Sequence, residues 1–339
     1  MNFKDKQCLI QINWWKKHSN QPNWDDKSNK NNWGVQNKVP YPHIIKGDWD
    51  ELLWKGIKEE LPLYLGKKIQ PHSGVRNLLS SWIACANLYF PVQFNQRFNE
   101  MMLAFLKKNI SNDIDSLTNV ALEFSLDGDL SPEKLLGEFG GSNGVGQTSP
   151  DVAFEVKTIT GKGLILTECK YTEHSFYPCS ARSKKERSGK DINPHPEICL
   201  IPRPDGNYLS ICHQSAWGRK YLDKITFSES GKKLLNRCPA STAGYQLIRQ
   251  QALANGIFRK GDYDLIVSAV SFDERNQTLI KCLCRTGIKD FQTGWAELFE
   301  QEAQFKVWHH QDWVNHARVN NHDGYFDNWL SYLNDRYGY

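Results

Sequence analysis

Two carboxylates and one amine stand out in residues 149–173, SPDVAFEVKTITGKGLILTECKYTE. Asp151 opens one apolar segment, and Glu168 and Lys170 lie two residues apart on a second. In extended backbone successive side chains alternate faces, so Glu168 and Lys170 point one way and Cys169 the other. A hairpin that turns around residues 159–162 carries Asp151 back beside Glu168. Two carboxylates and an ammonium meeting there make a site for a divalent cation, magnesium or manganese, with a fixed positive charge beside it. The run Leu164-Ile165-Leu166 marks the second segment as a buried central strand, where charges at one end are costly without a role. The same residues also allow a surface pair of Glu168 with Lys170, with Asp151 capping a turn.

Such a site needs a scaffold. Apolar periodicity predicts helices over residues 49–64, 75–90 and 93–109. The second of these has a broad buried face that includes Leu79, Trp82, Ile83 and Ala86. Residues 120–126 read as a strand or a helix end, and Ser131-Pro132-Glu133 as a helix start. Residues 137–146 are glycine-rich but lack the Lys-Ser/Thr of a phosphate loop, and so read as a linker. Further along, the pattern predicts a helix over 243–254, strands over 264–272 and 278–284, and helices over 294–308 and 326–337. Cys282 and Cys284 are expected in the core of the later strand. This order predicts a mixed α/β sandwich, interrupted at 174–240 by a polar, basic excursion. Residues 1–50, rich in Asn, Lys and Trp, read as an N-terminal arm, largely loop. Its tryptophans, among them Trp14, Trp15, Trp24 and Trp33, would pack on the core or stack on unpaired bases.

The chain has 339 residues, enough for one large domain, and 40% apolar residues, as in ordinary globular proteins. No apolar run is long enough to span a membrane, and residues 1–6 carry no signal-peptide pattern. Nine cysteines in that context fit a reducing, cytoplasmic setting. The net charge of +4 is unevenly spread: +7 over residues 1–110, −7 over 111–177, +9 over 178–260 and −5 over 261–339. An acidic centre flanked by basic segments suits a polyanionic substrate handled with a metal ion.

Pro150-Asp151 followed by Glu168-x-Lys170 resembles the PD-(D/E)xK nuclease superfamily. Glu168-Cys169-Lys170-Tyr171-Thr172-Glu173, Cys179, Arg237-Cys238-Pro239 and the segment 79–91 together resemble a bacterial restriction-endonuclease-like subgroup. The likeness implies a restriction-endonuclease-like α/β core, a central mixed sheet flanked by helices, with an N-terminal helical region and a cysteine-containing basic insertion. On this basis residues 51–339 form the nuclease domain, with a core at 115–290, an insertion at 174–240 and C-terminal helices at 294–339.

The resemblance also implies roles for single residues. Asp151 and Glu168 would hold magnesium or manganese, and Lys170 would orient or activate the attacking water. Related nucleases carry a further acid on an earlier element, here Glu123 or Glu138. Gln246, Arg249 and Gln250 share one helix face by spacing. They resemble the glutamine–tyrosine helix of RecB-type exonucleases, although Tyr245 precedes Gln246 where that pattern has it following. Gln246 and Arg249 are expected to touch substrate phosphate or to orient Glu168 and Lys170.

Cys179, Cys199, Cys212 and Cys238 would suit zinc or an iron–sulfur cluster, with His195 or His213 as substitutes, or else be free thiols. The implied activity is a DNA endonuclease, with RNA as the other possible substrate, serving restriction or phage defence. A homodimer would serve double-strand cleavage. The rival reading is a nucleic-acid-binding module that keeps the fold without cutting. A sugar hydrolase fits less well, because it gives Lys170 no task.

Overall fold

The near-continuous apolar runs before Glu168 and at 265–272 cannot face water on either side, and both become interior strands of one sheet. The computed structural model describes residues 1–19, 35–36, 39–40, 42–45, 47–66, 74–140, 146–182, 192–300 and 302–339. The sheet comprises β1 (Ile114–Leu122), β2 (Val152–Thr158), β3 (Lys162–Lys170), β4 (Leu265–Phe272) and β5 (Gln304–His309), hydrogen-bonded in that order. β1, β2 and β3 pair antiparallel, whereas β3 with β4 and β4 with β5 pair parallel. Parallel neighbours need long crossovers. The first one runs through the basic insertion and a helix at 245–258.

Helices cover both faces. They are α1 (Phe3–His18), α2 (Ser81–Tyr89), α3 (Gln96–Asn109), α4 (Tyr245–Phe258), α5 (His310–Val319) and α6 (Asp327–Tyr337). The twofold alternation of the strands sorts the core into two layers. Ile165 and Val267 face the layer of α2, α3, α5 and α6, while Leu164, Leu166 and Ile266 face α4 and the insertion. Ser80 caps α2 by accepting from Ile83 N–H, and Asn95 caps α3 by accepting from Arg97 and Phe98 N–H. No helix among the described residues is long and apolar enough to cross a membrane.

Several expectations need correction. The N-terminal arm contains a 16-residue helix, α1, where little amphipathic period predicted loop. Its buried residues include Gln7 and Gln11, whose partners lie far along the chain, so tertiary contacts hold the helix where pattern does not. Trp14 and Trp15 are buried; Trp24 and Trp33 lie outside the described residues, as do 141–145 of the glycine-rich segment. The helix expected over 49–64 is instead a 3-10 turn at Trp49–Leu52 and a short helix at Glu60–Leu65. The one expected over 75–90 begins only at Ser81.

Residues 278–284 are not a strand. Asn276 accepts from Leu279 N–H and starts a helical turn at Gln277–Ile280; Cys282 is half-buried and Cys284 exposed. The stretch 294–308 is not a helix either. After a short helix at Phe291–Gly294 and a 3-10 turn at Ala296–Leu298, the chain extends into β5. There Phe305 and Val307 face one layer and Trp308 the other, a period of two that short apolar runs do not distinguish from a helix.

The two chain ends lock together behind the sheet. Gln11 Nε2 donates to Tyr171 Oη (3.1 Å) and to the Arg336 carbonyl (2.7 Å), and Tyr171 Oη donates to Gln7 Oε1 (2.9 Å). The Arg336 guanidinium, fully buried, donates to Gln11 Oε1, to Tyr332 Oη and to the Leu52 carbonyl, and lies over the Trp14 ring at 4.6 Å. Hydrogen bonds from a charged donor contribute about 1.5–3 kcal/mol each. Arg336→Ala is therefore expected to lower unfolding free energy by about 3 kcal/mol or more, read as a shift of the urea midpoint. A midpoint within error of wild type would show that this cluster does not hold the ends.

Candidate active site

The site is assembled by strand register. Val152 pairs with Thr167, which places Asp151, one residue earlier, beside Glu168 at the end of the hairpin. Cys169 N–H donates to Asp151 Oδ2 at 2.7 Å, tying the first carboxylate to the backbone of the neighbouring strand. Glu168 and Lys170 share a face, and Lys170 Nζ donates to Glu168 Oε1 at 2.7 Å. The pair is 7% and 3% exposed, so neither charge is solvated in the ordinary way.

A third contact comes from α4. Gln246 Nε2 donates to the same Glu168 Oε1 at 2.7 Å. The helix can deliver this amide because Tyr245 and Gln246 N–H donate to the carbonyls of Tyr177 and Phe176, just after β3. Both contacts fall on Oε1, which leaves Oε2 outside either bond. Asp151, Glu168, Lys170, Tyr177 and Gln246 line a cavity of about 310 Å³, together with Lys4 and His174.

The electrostatics are those of crowded negative charge. Burial, and then the charge of Glu168, hold the Asp151 carboxyl well above the usual carboxylate range. The same two causes raise Glu123 from 4.5 to about 7. Burial alone would favour the neutral amine of Lys170, but the carboxylates of Glu168, Glu173 and Asp151 outweigh it and keep the lysine protonated. Glu123 has φ of +48° and Tyr177 +55°, the two non-glycine residues with positive φ among those described. Tyr177 lies over Lys170 Nζ at 5.7 Å, and Glu123 N–H donates to the Asp151 carbonyl at 3.1 Å. Both strained residues thus border the same site, which is where such strain concentrates.

Beneath Lys170 runs a buried polar chain. His310 Nε2 donates to the Lys170 carbonyl (3.1 Å), so the Ser271 hydroxyl donates to His310 Nδ1 (2.8 Å). Tyr89 Oη bonds Ser271 Oγ in turn and accepts from Trp308 Nε1 (3.0 Å). Burial lowers the His310 pKa to about 4, keeping the ring neutral as this pattern requires.

Other candidates fall elsewhere. Glu138 is not beside Asp151. It accepts from Arg249 (3.0 and 3.1 Å), Tyr221 Oη (2.8 Å) and Thr148 Oγ1 (2.7 Å) in a separate buried cluster. Arg249 is held there and does not reach Glu168 or Lys170. Gln250 is enclosed in the core, with its amide donating to the carbonyls of Leu166 (3.1 Å) and Ala269 (2.8 Å), and so it staples β3 to β4 and has no path to a substrate. The three side chains share a helix face by spacing yet diverge, because β3, β4 and Glu138 each claim one. Glu123 does not line the cavity, although it is close enough to feel Glu168. Cys179, Cys199, Cys212 and Cys238 form no disulfide, and none of them lines the cavity. Sequence reasoning missed Tyr177 and His310. His310 comes from a helix 140 residues from Lys170, where no local pattern could point to it.

Neither a curated protein nor a solved structure matches the chain. A family model described as restriction endonuclease associating with ARP matches residues 11–338, a span that takes in the whole sheet, both crossovers and Asp151, Glu168, Lys170, Tyr177 and Gln246 of the cavity. The chain belongs to this restriction-endonuclease family.

Proposed function

We propose that the protein is a metal-dependent endonuclease of the PD-(D/E)xK type, which hydrolyses phosphodiester bonds of DNA in restriction or phage defence in the cytoplasm. The observation that carries this reading is the clamp on Glu168. Lys170 and Gln246 fix one of its oxygens while Asp151, held by the Cys169 amide, stands beside it at the cavity wall. Family membership supports a nuclease role and DNA as substrate.

The residues present fit a small divalent ion. Magnesium binds through one or two carboxylates and completes its shell with water and substrate phosphate. Asp151 and Glu168 supply that number, and among the described residues no group of three His, Cys, Asp or Glu side chains is placed to hold an ion unaided. Asp151 and Glu123 are raised by burial first and by the charge of Glu168 second, and a cation would offset both. When bound, the ion supplies charge neutralisation and an acidified water. Lys170, protonated and held against Glu168, stabilises charge developing on the phosphate and orients the attacking water; its protonation excludes it as the base. Gln246 fixes the rotamer of Glu168. The basic insertion attracts the polyanion, and two copies of the chain would cut both strands of a duplex.

Supercoiled plasmid incubated with pure protein in magnesium or manganese should be nicked or linearised. Asp151→Asn, Glu168→Ala and Lys170→Ala should each cut at least about 100-fold more slowly. Full activity in Lys170→Ala would place the chemistry elsewhere. Salt-sensitive binding without cleavage in any metal would leave a nucleic-acid-binding module instead.

A second expectation follows from the raised carboxyls. A carboxyl whose pKa is raised on folding stabilises the fold below its unfolded value and loses that contribution as pH rises. For Glu123 the loss spans about pH 4.5 to 7. Metal competes with those protons, so the thermal shift caused by manganese should be small at acid pH and grow across this window. Scanning fluorimetry measures it, and Glu123→Gln should flatten the dependence. A shift independent of pH in the wild type would show that the metal does not bind at Asp151 and Glu168 beside Glu123.

A further inference from the structure

Residues 277–286 read QTLIKCLCRT, and their side chains divide by helical spacing. Leu279, Ile280 and Leu283 are buried in the core, whereas Thr278, Lys281 and Arg285 follow i, i+3, i+7 and are exposed. The helical turn Gln277–Ile280 and the 3-10 turn Cys284–Thr286 thus build a wall with a basic outer side. This wall borders a groove of about 600 Å³ whose other side comes from residues 174–182 and 242–243. Two hydrogen bonds hold that other side together. Cys179 N–H donates to the Ala240 carbonyl at 2.8 Å, and Arg182 Nη1 donates to the Ser241 carbonyl at 3.2 Å.

No carboxylate lines the groove. Arg182, Lys281 and Arg285 bring positive charge into it, with His174 beside them, and all four residues are exposed. Lys281 and Arg285 stand out against their own segment, since residues 261–339 carry a net charge of −5. Only the fold joins them to the basic insertion. His174 lines the cavity as well as the groove, so the two adjoin. The charge changes along this path: Asp151, Glu168 and Glu173 line the cavity, while arginine and lysine line the groove.

Arginine, lysine, hydroxyl and amide side chains are the groups that contact phosphate oxygens, and Gln277 and Thr278 add an amide and a hydroxyl to the cations here. We infer that the groove binds the phosphodiester backbone of a nucleic-acid strand where it leaves the cavity, with Arg182, Lys281 and Arg285 on its phosphates. This extends the reading of the cavity as a nucleic-acid site and rests on it. Contacts to backbone add affinity and fix register without choosing a base sequence.

The test is binding of labelled DNA oligonucleotides, single-stranded and duplex, followed by fluorescence anisotropy in EDTA and in calcium as salt is raised. The double variant Lys281→Ala/Arg285→Ala should bind about tenfold more weakly, to a similar extent for every sequence. Its slope of log affinity against log salt should fall by about one for each charge removed. The exchanged pair Lys281→Arg/Arg285→Lys should keep affinity and slope, which separates a lost contact from a lost fold. Lys108→Ala, on α3 in the opposite layer, should keep them too. The form of DNA that shows the larger loss is the one that occupies the groove. Unchanged affinity and slope in the double variant would overturn the inference, even if the wild type cuts DNA. Wild-type protein that binds polyglutamate but neither form of DNA would also overturn it and assign the groove to an acidic polypeptide. Because cleavage is not the readout, a salt-sensitive loss in the double variant stands even where the wild type cuts nothing.

Discussion

A lysine and a glutamate buried within 2.7 Å of each other at the end of a central strand are the constraint around which this protein is arranged. Removing two charges from water costs several kcal/mol, and the attraction between them repays this only if every remaining polar atom finds a partner. The fold supplies those partners from distant parts of the chain. Gln246 adds a second donor to Glu168 Oε1, the Cys169 amide donates to Asp151, and His310 donates to the carbonyl of Lys170 itself, while Glu168 Oε2 stays outside these bonds. The parallel half of the sheet serves this arrangement, because pairing β3 with β4 and β4 with β5 brings α4 and α5 back over the strand end from opposite layers.

Strain and polarity collect around the same spot. Glu123 and Tyr177 adopt left-handed backbone conformations that side chains disfavour, and both border the carboxylates. A core designed only for stability would carry apolar residues there. The chain of Trp308, Tyr89, Ser271 and His310 shows how closely the interior is specified: each group donates in one direction, and a neutral imidazole is the one form that satisfies both ends.

The hairpin and the converging Asp151, Glu168 and Lys170 were legible in the sequence because they depend on local register, a twofold alternation and a tight turn. Gln246 was legible because it sits on a helix whose apolar pattern is clear. What was not legible depended on partners far along the chain. The partner of Arg249 was not legible because nothing local signals that Glu138, 111 residues earlier, is its counter-ion. Helix α1 carries its buried face on glutamines and tryptophans whose partners are Tyr171 and helix α6. The exchange of strand and helix after residue 277 arose where short apolar runs fit both periods and an asparagine cap decided between them.

Helices α1 and α6 meet behind the end of β3, where Tyr171 bonds to α1 and packs edge-on against Tyr337 of α6, 5.5 Å between ring centres. That support joins residues 160 positions apart in sequence, so it owes nothing to the local sequence of the strand. A substitution at Gln7, Gln11 or Tyr337 would therefore loosen the strand end that carries Glu168 and Lys170 without touching the cavity itself.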